Sequence, residues 1–313
     1  MKAYGWFGLG LLAISEVLML RRVEPFYSWF YSFAWWSYIL LADNIVLVLR
    51  GRSLLTSRHR ELQRMLPFSV AIWLLFEAYN FVLRNWAYQN VPSEIWLRWP
   101  GYALAFATVL PGIFVTSELA EHLLFGSRPG PTPPQCERLA APAAPPNQRL
   151  FLGTGIVLSV APLLWPRFFF PAVWLGPIFL LDPLLGRLGR RSLWLSVREG
   201  DARRLWSLLA GGLATGVLWE FWNFWAQAKW VYSVPFVGGW KVFEMPVLGF
   251  LGFPPFALEC WILYHLLDAL ADSAGQKRLA PLLWAAIACF GAAIMAGIDH
   301  FTVLSFVPGG LLR

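Results

Sequence analysis

The stretch LWEFWNFWAQAKWVYSVPFVGGWKVFEMP, from Leu218 to Pro246, decides how the rest of the chain is interpreted. It places one acidic residue, Glu220, in a run of Trp, Phe and Leu that is otherwise typical of a membrane-spanning helix. An ionisable side chain at membrane depth is costly and usually marks a functional site. The stretch therefore predicts both the environment of the protein and the location of its site.

A weaker copy of this stretch, LFEAYNFVLRNWAYQNVP, lies upstream between Leu75 and Pro92. Glu220 follows Glu77 by 143 positions, and the same spacing relates Asn223 to Asn80. Three more matches keep this spacing: Phe81 with Phe224, Pro92 with Pro235, and His122–Leu124 with His265–Leu267. The repeated spacing predicts a tandem duplication with one intramembrane carboxylate in each copy.

The composition of the chain is that of an integral membrane protein. Hydrophobic residues make up 58% of the sequence and charged residues 14%, whereas soluble domains carry about 45–50% and about 25%. The net charge of +7 predicts basic loops at an anionic lipid surface. We therefore expect membrane lipids and a hydrophobic small-molecule substrate as partners, and no nucleic acid.

Length and apolarity predict about nine transmembrane helices, which makes the fold an all-α integral membrane protein. The predicted spans lie near Tyr4–Leu20, Phe26–Leu49, Pro67–Ala87, Gly101–Phe125, Leu150–Trp165, Phe168–Leu188, Leu205–Ala226, Val242–Leu270 and Ala280–Phe306. We expect two parallel four-helix repeats plus one C-terminal helix. The predicted divisions are a first repeat (1–126), a Pro/Ala-rich cytoplasmic linker (127–149), a second repeat (150–272), and the ninth helix with the C-terminus (273–313).

Two clusters of arginine set the predicted orientation. They follow the second and the sixth span, within residues 50–64 and 187–204. Basic loops remain on the cytoplasmic side of a membrane. This places a multi-pass protein in the cell membrane, the inner membrane of the cell, with its N-terminus in the cytoplasm and its C-terminus outside.

Glu77, Asn80, Glu220 and Asn223 are the predicted catalytic residues. A Glu and an Asn three positions apart share a helix face, so each pair points a carboxyl and an amide in the same direction. A buried carboxyl can hold a proton and donate it to a substrate, with the amide orienting it. The alternative is that these side chains only bond neighbouring helices together.

The predicted substrate-binding residues are six: Trp222, Trp225, Trp230, Tyr232, Glu244 and Glu259. The face of an aromatic ring attracts positive charge, so such residues could shield a carbocation or stack on a flat polyene. Trp86 and Tyr88 occupy the corresponding place in the first copy. The alternative is an aromatic belt at the membrane interface.

The remaining polar residues are assigned simpler roles. Asp43 and Asp182 are expected to form ion pairs with the nearby Arg50 or Arg190. His122 and His265 keep the repeat spacing and could ligate haem or a metal, or could simply meet the interface. Nucleotide, zinc and di-iron motifs are absent from the sequence, and we predict neither a cofactor nor a metal.

Duplicated membrane helices that carry Glu in aromatic surroundings resemble the architecture of integral-membrane carotenoid and terpenoid cyclases. The resemblance implies an enzyme that acts by acid–base chemistry on an apolar lipid or isoprenoid. A proton-coupled transporter of a small or lipidic substrate is the alternative. A non-catalytic membrane scaffold or redox subunit is the third option.

Overall fold

The computed structural model describes residues 1–126, 145 and 147–308, so most of the predicted linker lies outside the described residues. The described chain is mostly helical. Its α-helices are α1 (Ala3–Leu20), α2 (Phe30–Arg50), α3 (His59–Leu83), α4 (Ile95–Phe106), α5 (Val109–Phe125), α6 (Gln148–Leu164), α7 (Pro166–Phe169), α8 (Gly176–Arg187), α9 (Leu193–Arg198), α10 (Arg203–Trp225), α11 (Phe253–Gln276) and α12 (Ala280–Phe301). Two 3₁₀ helices cover Phe170–Trp174 and Val247–Gly252.

Seven helical segments of the described chain are long and apolar enough to cross a membrane. They comprise α1, α2, α3, the continuous α4–α5 segment, the α7–α8 segment, α11 with the 3₁₀ helix before it, and α12. These segments indicate a multi-pass membrane protein. The two other predicted spans correspond to α6, with 17 residues, and α10, which carries Gly, Trp, Glu and Asn and is not among the seven. The count of nine therefore stays a prediction.

Short strands interrupt a chain whose sequence predicts helices alone. Strand β1 (Trp86–Gln89) pairs antiparallel with β3 (Lys229–Tyr232). Strand β2 (Val91–Pro92) pairs with β6 (Phe306–Val307), and β4 (Lys241–Val242) with β5 (Met245–Pro246). The predicted third span is wrong at its end, because α3 stops at Leu83 and Arg84 adopts a left-handed conformation that turns the chain into β1.

Helix α10 lies between α5 and α11, where glycines permit close approach. A Cβ atom built on Gly211 would lie 2.3 Å from the Ser117 hydroxyl of α5. A Cβ atom on Gly216 would lie 2.2 Å from the Phe253 ring of α11. Small residues at such contacts are typical of helices that pack in a membrane, where close van der Waals contact drives association. The glycines fix the height and rotation of the helix that carries Glu220.

The span that ends in α11 is broken at its start, as its prolines predict. Pro254 and Pro255 occupy the first turn of α11, and a 3₁₀ helix with Gly249 and Gly252 precedes it. Irregular backbone at membrane depth is tolerated where it is buried in protein or lines a cavity. This segment forms part of a cavity wall, described below.

The predicted ion pairs of Asp43 and Asp182 are wrong. The Asp43 carboxylate, which is fully buried, accepts hydrogen bonds from the Ser53 hydroxyl at 2.7 Å and the Leu55 amide at 3.0 Å. The Asp182 carboxylate likewise accepts from the amides of Leu193 and Trp194. Both aspartates hold the turn of the following loop through these hydrogen bonds to its backbone amides.

The arginines that were expected to pair with these aspartates bind other acids. Arg50 pairs with Glu121 at 3.3 Å, and Arg190 pairs with Asp272 at 2.7 Å. These ion pairs join the ends of helices that lie far apart in sequence.

Candidate active site behind the paired aromatic strands

The Glu77 carboxyl is fully buried at the junction of α3 and β1. Its Oε1 atom accepts hydrogen bonds from the Trp86 indole at 2.9 Å and from the Tyr88 hydroxyl at 2.5 Å. Its Oε2 atom has no partner in the described part of the chain. Because Trp86 and Tyr88 are alternate residues of β1, their side chains leave the same face of the strand and reach one carboxylate.

The Glu220 carboxyl has similar surroundings at the junction of α10 and β3. It is fully buried, and its Oε1 atom accepts a hydrogen bond from the Tyr232 hydroxyl at 2.7 Å. The Trp230 indole donates to the Tyr232 oxygen at 2.7 Å instead of to the carboxylate. Glu220 Oε2 is unpartnered among the described residues. The second unit is therefore a linear chain of hydrogen bonds, whereas the first is a fork.

The two asparagines position the strands and do not contact the carboxylates. The Asn80 amide donates to the Trp86 carbonyl at 2.8 Å, and its oxygen accepts from the amides of Asn85 and Trp86. The Asn223 amide donates to the Trp230 carbonyl at 2.9 Å and accepts from the Trp230 amide at 3.0 Å. Each asparagine thus fixes where its strand begins. This differs from the expected role of orienting the neighbouring Glu.

The pairing of β1 with β3 brings the two units together. Trp86 lies opposite Tyr232, and Tyr88 lies opposite Trp230. Each Trp of one unit therefore neighbours the Tyr of the other. A local twofold axis through the paired strands β1 and β3, called the ribbon below, produces this arrangement.

Both phenols remain protonated at neutral pH. Burial, followed by the charge of the adjacent Glu, raises the pKa of Tyr88 and of Tyr232 well above the usual range. Each hydroxyl therefore acts as a hydrogen-bond donor toward its carboxylate.

Two cavities lie against the ribbon, one toward each end of the strand pairing. Cavity A has a volume of about 90 Å³, counted as the space that the centre of a water molecule can occupy. Its lining includes Tyr31, Tyr88, Tyr102 and Arg98. Such a volume is several times the space that a single buried water needs, about 10–15 Å³. The cavity lies between the ribbon, the start of α2, and α4.

Cavity B lies toward the other end of the ribbon and measures about 80 Å³ on the same basis. Its lining includes Tyr232, Trp86 and Asn85 of the strand region, Trp174, and Phe253 and Phe256 of the broken α11 span. Trp73, Trp219 and Trp230 line both cavities and form the wall between them. The strands thus place a tyrosine in each cavity with a buried carboxylate behind it.

The structure brings some of the predicted substrate-binding residues to these cavities and leaves others away from them. Trp230 and Tyr232 line cavity B. Trp222 packs edge-on against Trp35 at 5.1 Å, toward α2, and Trp225 is 46% exposed on the outside of α10. Neither lines cavity A or cavity B.

The two predicted carboxylates of the eighth span differ in environment. Glu244 forms an ion pair with Lys229 at 2.5 Å, and Lys229 lines cavity A. Glu259 is fully buried on α11, and neither of its carboxyl oxygens has a partner in the described chain. Glu259 is not part of either cavity wall.

His265, one of the two histidines that keep the repeat spacing, lies among aromatic side chains. His265 is buried against Trp261 and Tyr264, with ring centroids 4.3 and 5.0 Å away. No group of three or more potential ligands that could hold a metal ion occurs within the described ranges.

Arg98 and Asp299 form a buried ion pair beside cavity A that sequence analysis missed. Two guanidinium nitrogens of Arg98 donate to the two Asp299 oxygens, each at 2.8 Å. Asp299 also accepts from the Trp99 indole and the Tyr102 hydroxyl. The pair ties α4 to α12. Its only sequence signal is an acidic residue within an apolar span, since the partners lie 201 positions apart.

Comparison of the chain with protein-family models, with curated proteins and with solved structures finds no match in any of the three.

Proposed function

We propose that the chain forms two parallel four-helix repeats plus a ninth helix, with nine spans in the inner membrane. The N-terminus lies in the cytoplasm and the C-terminus outside. The support is the recurrence of one unit, in which a buried Glu is followed by an Asn that holds an aromatic strand. In this arrangement α3 and α10 end at the same side of the membrane, where their strands pair.

We infer that the protein is an enzyme that acts by acid–base chemistry on an apolar lipid or isoprenoid. One observation carries this proposal: Tyr232 lines an aromatic cavity and is hydrogen-bonded to the fully buried Glu220. A titratable group with access to an apolar cavity through a single phenol is suited to moving a proton without admitting water.

Proton transfer would pass through the phenol. When Glu220 carries a proton, the hydrogen bond between the two groups reverses, so that the Glu220 proton moves to the Tyr232 oxygen while the Tyr232 proton moves to a carbon or oxygen atom of the substrate. Tyr232 is neutral before and after, Glu220 becomes a carboxylate, and the substrate gains one proton. The hydrogen bond from the Trp230 indole holds the phenol in line for this transfer.

Glu77 and Tyr88 would accept a proton by the reverse path. The Glu77 carboxylate receives two hydrogen bonds, whereas that of Glu220 receives one. Hydrogen bonds from N–H and O–H donors stabilise the ionised form of a carboxylate. We therefore assign the acid role to Glu220 and the base role to Glu77.

The aromatic walls suit a cationic intermediate. Trp73, Trp219 and Trp230 separate the cavities, and Trp174 stacks on Phe76 with centroids 5.3 Å apart. Ring faces attract positive charge, most strongly those of Trp. An alkene protonated in cavity B would therefore be stabilised before a proton is lost or a ring closes.

A proton-coupled transporter is the second candidate, favoured by the unpartnered carboxyl of Glu259. Against it, the proposed halves interlock: α10 packs on α5, α12 packs on α3, and β1 pairs with β3. Rocking of one half against the other, as in carriers built from repeats, would break these contacts.

The test is lipid mass spectrometry of membranes from cells that express the protein or its variants. We expect a lipid product that depends on the wild-type protein and that falls by about 10²–10⁴-fold with Glu220→Gln. Glu199→Gln, at a half-exposed acid of the loop after α9, is the matched control and should leave the product unchanged. Unchanged product with Glu220→Gln contradicts the proposal. Proton-driven flux into liposomes that is lost with Glu259→Gln would favour the transporter.

A further inference from the structure

Asn85 carries an unpartnered side-chain amide oxygen at the wall of cavity B. The residue is 5% exposed, it lines the cavity, and its side-chain oxygen has no hydrogen-bond partner among the described residues. A buried polar group without a partner is destabilising, so such a group usually meets a ligand or an ordered water.

The backbone holds Asn85 firmly in this position. Its amide donates to the Asn80 side chain at 2.9 Å, and its carbonyl accepts from the Ser233 amide at 2.8 Å. The left-handed conformation of Arg84 turns the chain so that Asn85 follows the end of α3 directly. Both backbone groups are satisfied, and only the side chain is left to bind something else.

The matching position at cavity A carries a group that is already paired. Asn85 directly precedes Trp86, and the residue that directly precedes Trp230 is Lys229. Lys229 lines cavity A, and its ammonium is taken up by Glu244. The two cavities therefore differ at matched positions of the same ribbon, with an open amide in B and an occupied ammonium in A.

The rest of the wall limits the chemistry of the ligand. None of the described residues that line cavity B is charged, and its only phenol already donates to Glu220 and accepts from Trp230. An ionised group would be costly there because nothing compensates its charge. A primary amide can present its oxygen to a hydroxyl or its nitrogen to a carbonyl.

We propose that Asn85 binds a neutral, oxygen-bearing end group of the substrate in cavity B, so that the substrate is an oxygenated apolar chain and not a pure hydrocarbon. The identification of the ligand as a substrate rests on the proposed function. The binding site itself rests only on the geometry of Asn85 and cavity B. The oxygen would lie in the cavity that Tyr232 lines, next to the group that supplies the proton.

Equilibrium binding to the purified protein in detergent tests this inference. The probes are radiolabelled farnesol and farnesal, which bear a hydroxyl and a carbonyl, and farnesene, the hydrocarbon of the same skeleton. We expect wild-type protein to bind farnesol or farnesal at least tenfold more tightly than farnesene. Asn85→Leu should remove about tenfold of that preference, the effect of one lost hydrogen bond, while farnesene still binds.

Gln89→Leu is the matched control, since Gln89 is an amide residue of the same strand that lines neither cavity. Retained farnesene binding by Asn85→Leu shows that the variant is folded. An equal preference in wild type and Asn85→Leu overturns the inference, whatever Glu220→Gln does to turnover. Loss of the preference in Asn85→Leu without any turnover supports the inference and contradicts the enzyme.

Discussion

The two carboxylate units use the same four residue types and differ in how the hydrogen bonds run. Glu77 accepts from both the Trp86 indole and the Tyr88 hydroxyl, whereas Glu220 accepts from the Tyr232 hydroxyl alone among the described residues. The Trp230 indole donates to the Tyr232 hydroxyl, whereas its counterpart Trp86 donates to the carboxylate. Two units of the same residue types can thus take on different chemical characters through the redirection of one N–H group.

One extra residue accompanies this difference. Asn80 bonds the carbonyl of the sixth residue after it, and Asn223 bonds that of the seventh. The loop between Asn223 and Trp230 is therefore one residue longer than its counterpart. The spacing between the copies accordingly changes from 143 at the Glu residues to 144 at the strand Trp residues.

Tyr-to-Phe substitutions probe the difference most strongly. Tyr232→Phe leaves both the Glu220 carboxyl and the Trp230 indole without a described partner, so we expect a loss of about 3 kcal/mol in the free energy of unfolding. Tyr88→Phe leaves Glu77 with Trp86 and should cost about 1 kcal/mol. Reversible unfolding in mixed dodecyl sulfate micelles measures both. Equal losses in the two variants would mean that the hydrogen bonds of the two tyrosines contribute equally to stability.

Tyr27→Phe serves as the control for this pair. Tyr27 lies before α2 and is half-buried, and the described chain offers no hydrogen bond to its hydroxyl. Its substitution should change the unfolding free energy by less than about 0.5 kcal/mol.

Asn-to-Ala substitutions test the two strand starts. Asn80 makes three hydrogen bonds to backbone groups and Asn223 makes two. We expect Asn80→Ala to destabilise its strand by about 1 kcal/mol more than Asn223→Ala does. Native-state hydrogen exchange of the backbone amides of Trp86 and Trp230 measures this difference in strand stability.

Asn147→Ala is the control for the asparagines, because Asn147 precedes α6 without a side-chain capping bond. Its substitution should leave both amides as protected as in the wild-type protein. The contrary result is that Asn223→Ala speeds the exchange of the Trp230 amide more than Asn80→Ala speeds that of the Trp86 amide. Such a result would mean that the number of asparagine hydrogen bonds does not determine the stability of the ribbon.

Trp-to-Phe substitutions should produce the smallest contrast. Trp86→Phe removes a hydrogen bond to a carboxylate, and Trp230→Phe removes one to a neutral phenol. Bonds to charged groups contribute more, so we expect losses that differ by about 0.5–1 kcal/mol in the same unfolding titration. Trp240→Phe, at a residue that is 85% exposed, is the control. A larger loss for Trp230→Phe would reverse the assignment of acid and base.

The membrane class and the carboxylate pair could be predicted from sequence, because apolar length and a repeated Glu-x-x-Asn are local signals. The pairing of β1 with β3 could not be predicted from the sequence. Trp86–Gln89 and Lys229–Tyr232 are four residues each, and their strand conformation depends on the partner strand, which lies in the other half.

Partner choice was the other limit of the sequence. Asp43 was paired with the nearest arginine in sequence, although it binds backbone amides and hydroxyls that no residue pattern displays. The Arg98–Asp299 pair joins two helices whose paired residues lie 201 positions apart. The role of Asn85 depends on its burial and on its unpartnered amide oxygen, which no sequence pattern displays. Polar satisfaction is a property of the assembled fold and not of neighbouring residues.

The β1–β3 ribbon has a consequence for how the protein is made. During synthesis, the first half enters the membrane with β1 unpaired, and its partner strand emerges only after the linker and much of the second half have been translated. An unpaired strand edge is prone to wrong association. The nascent chain should therefore need an insertion factor or chaperone at this stage, and separately expressed halves should be stable only when they are produced together.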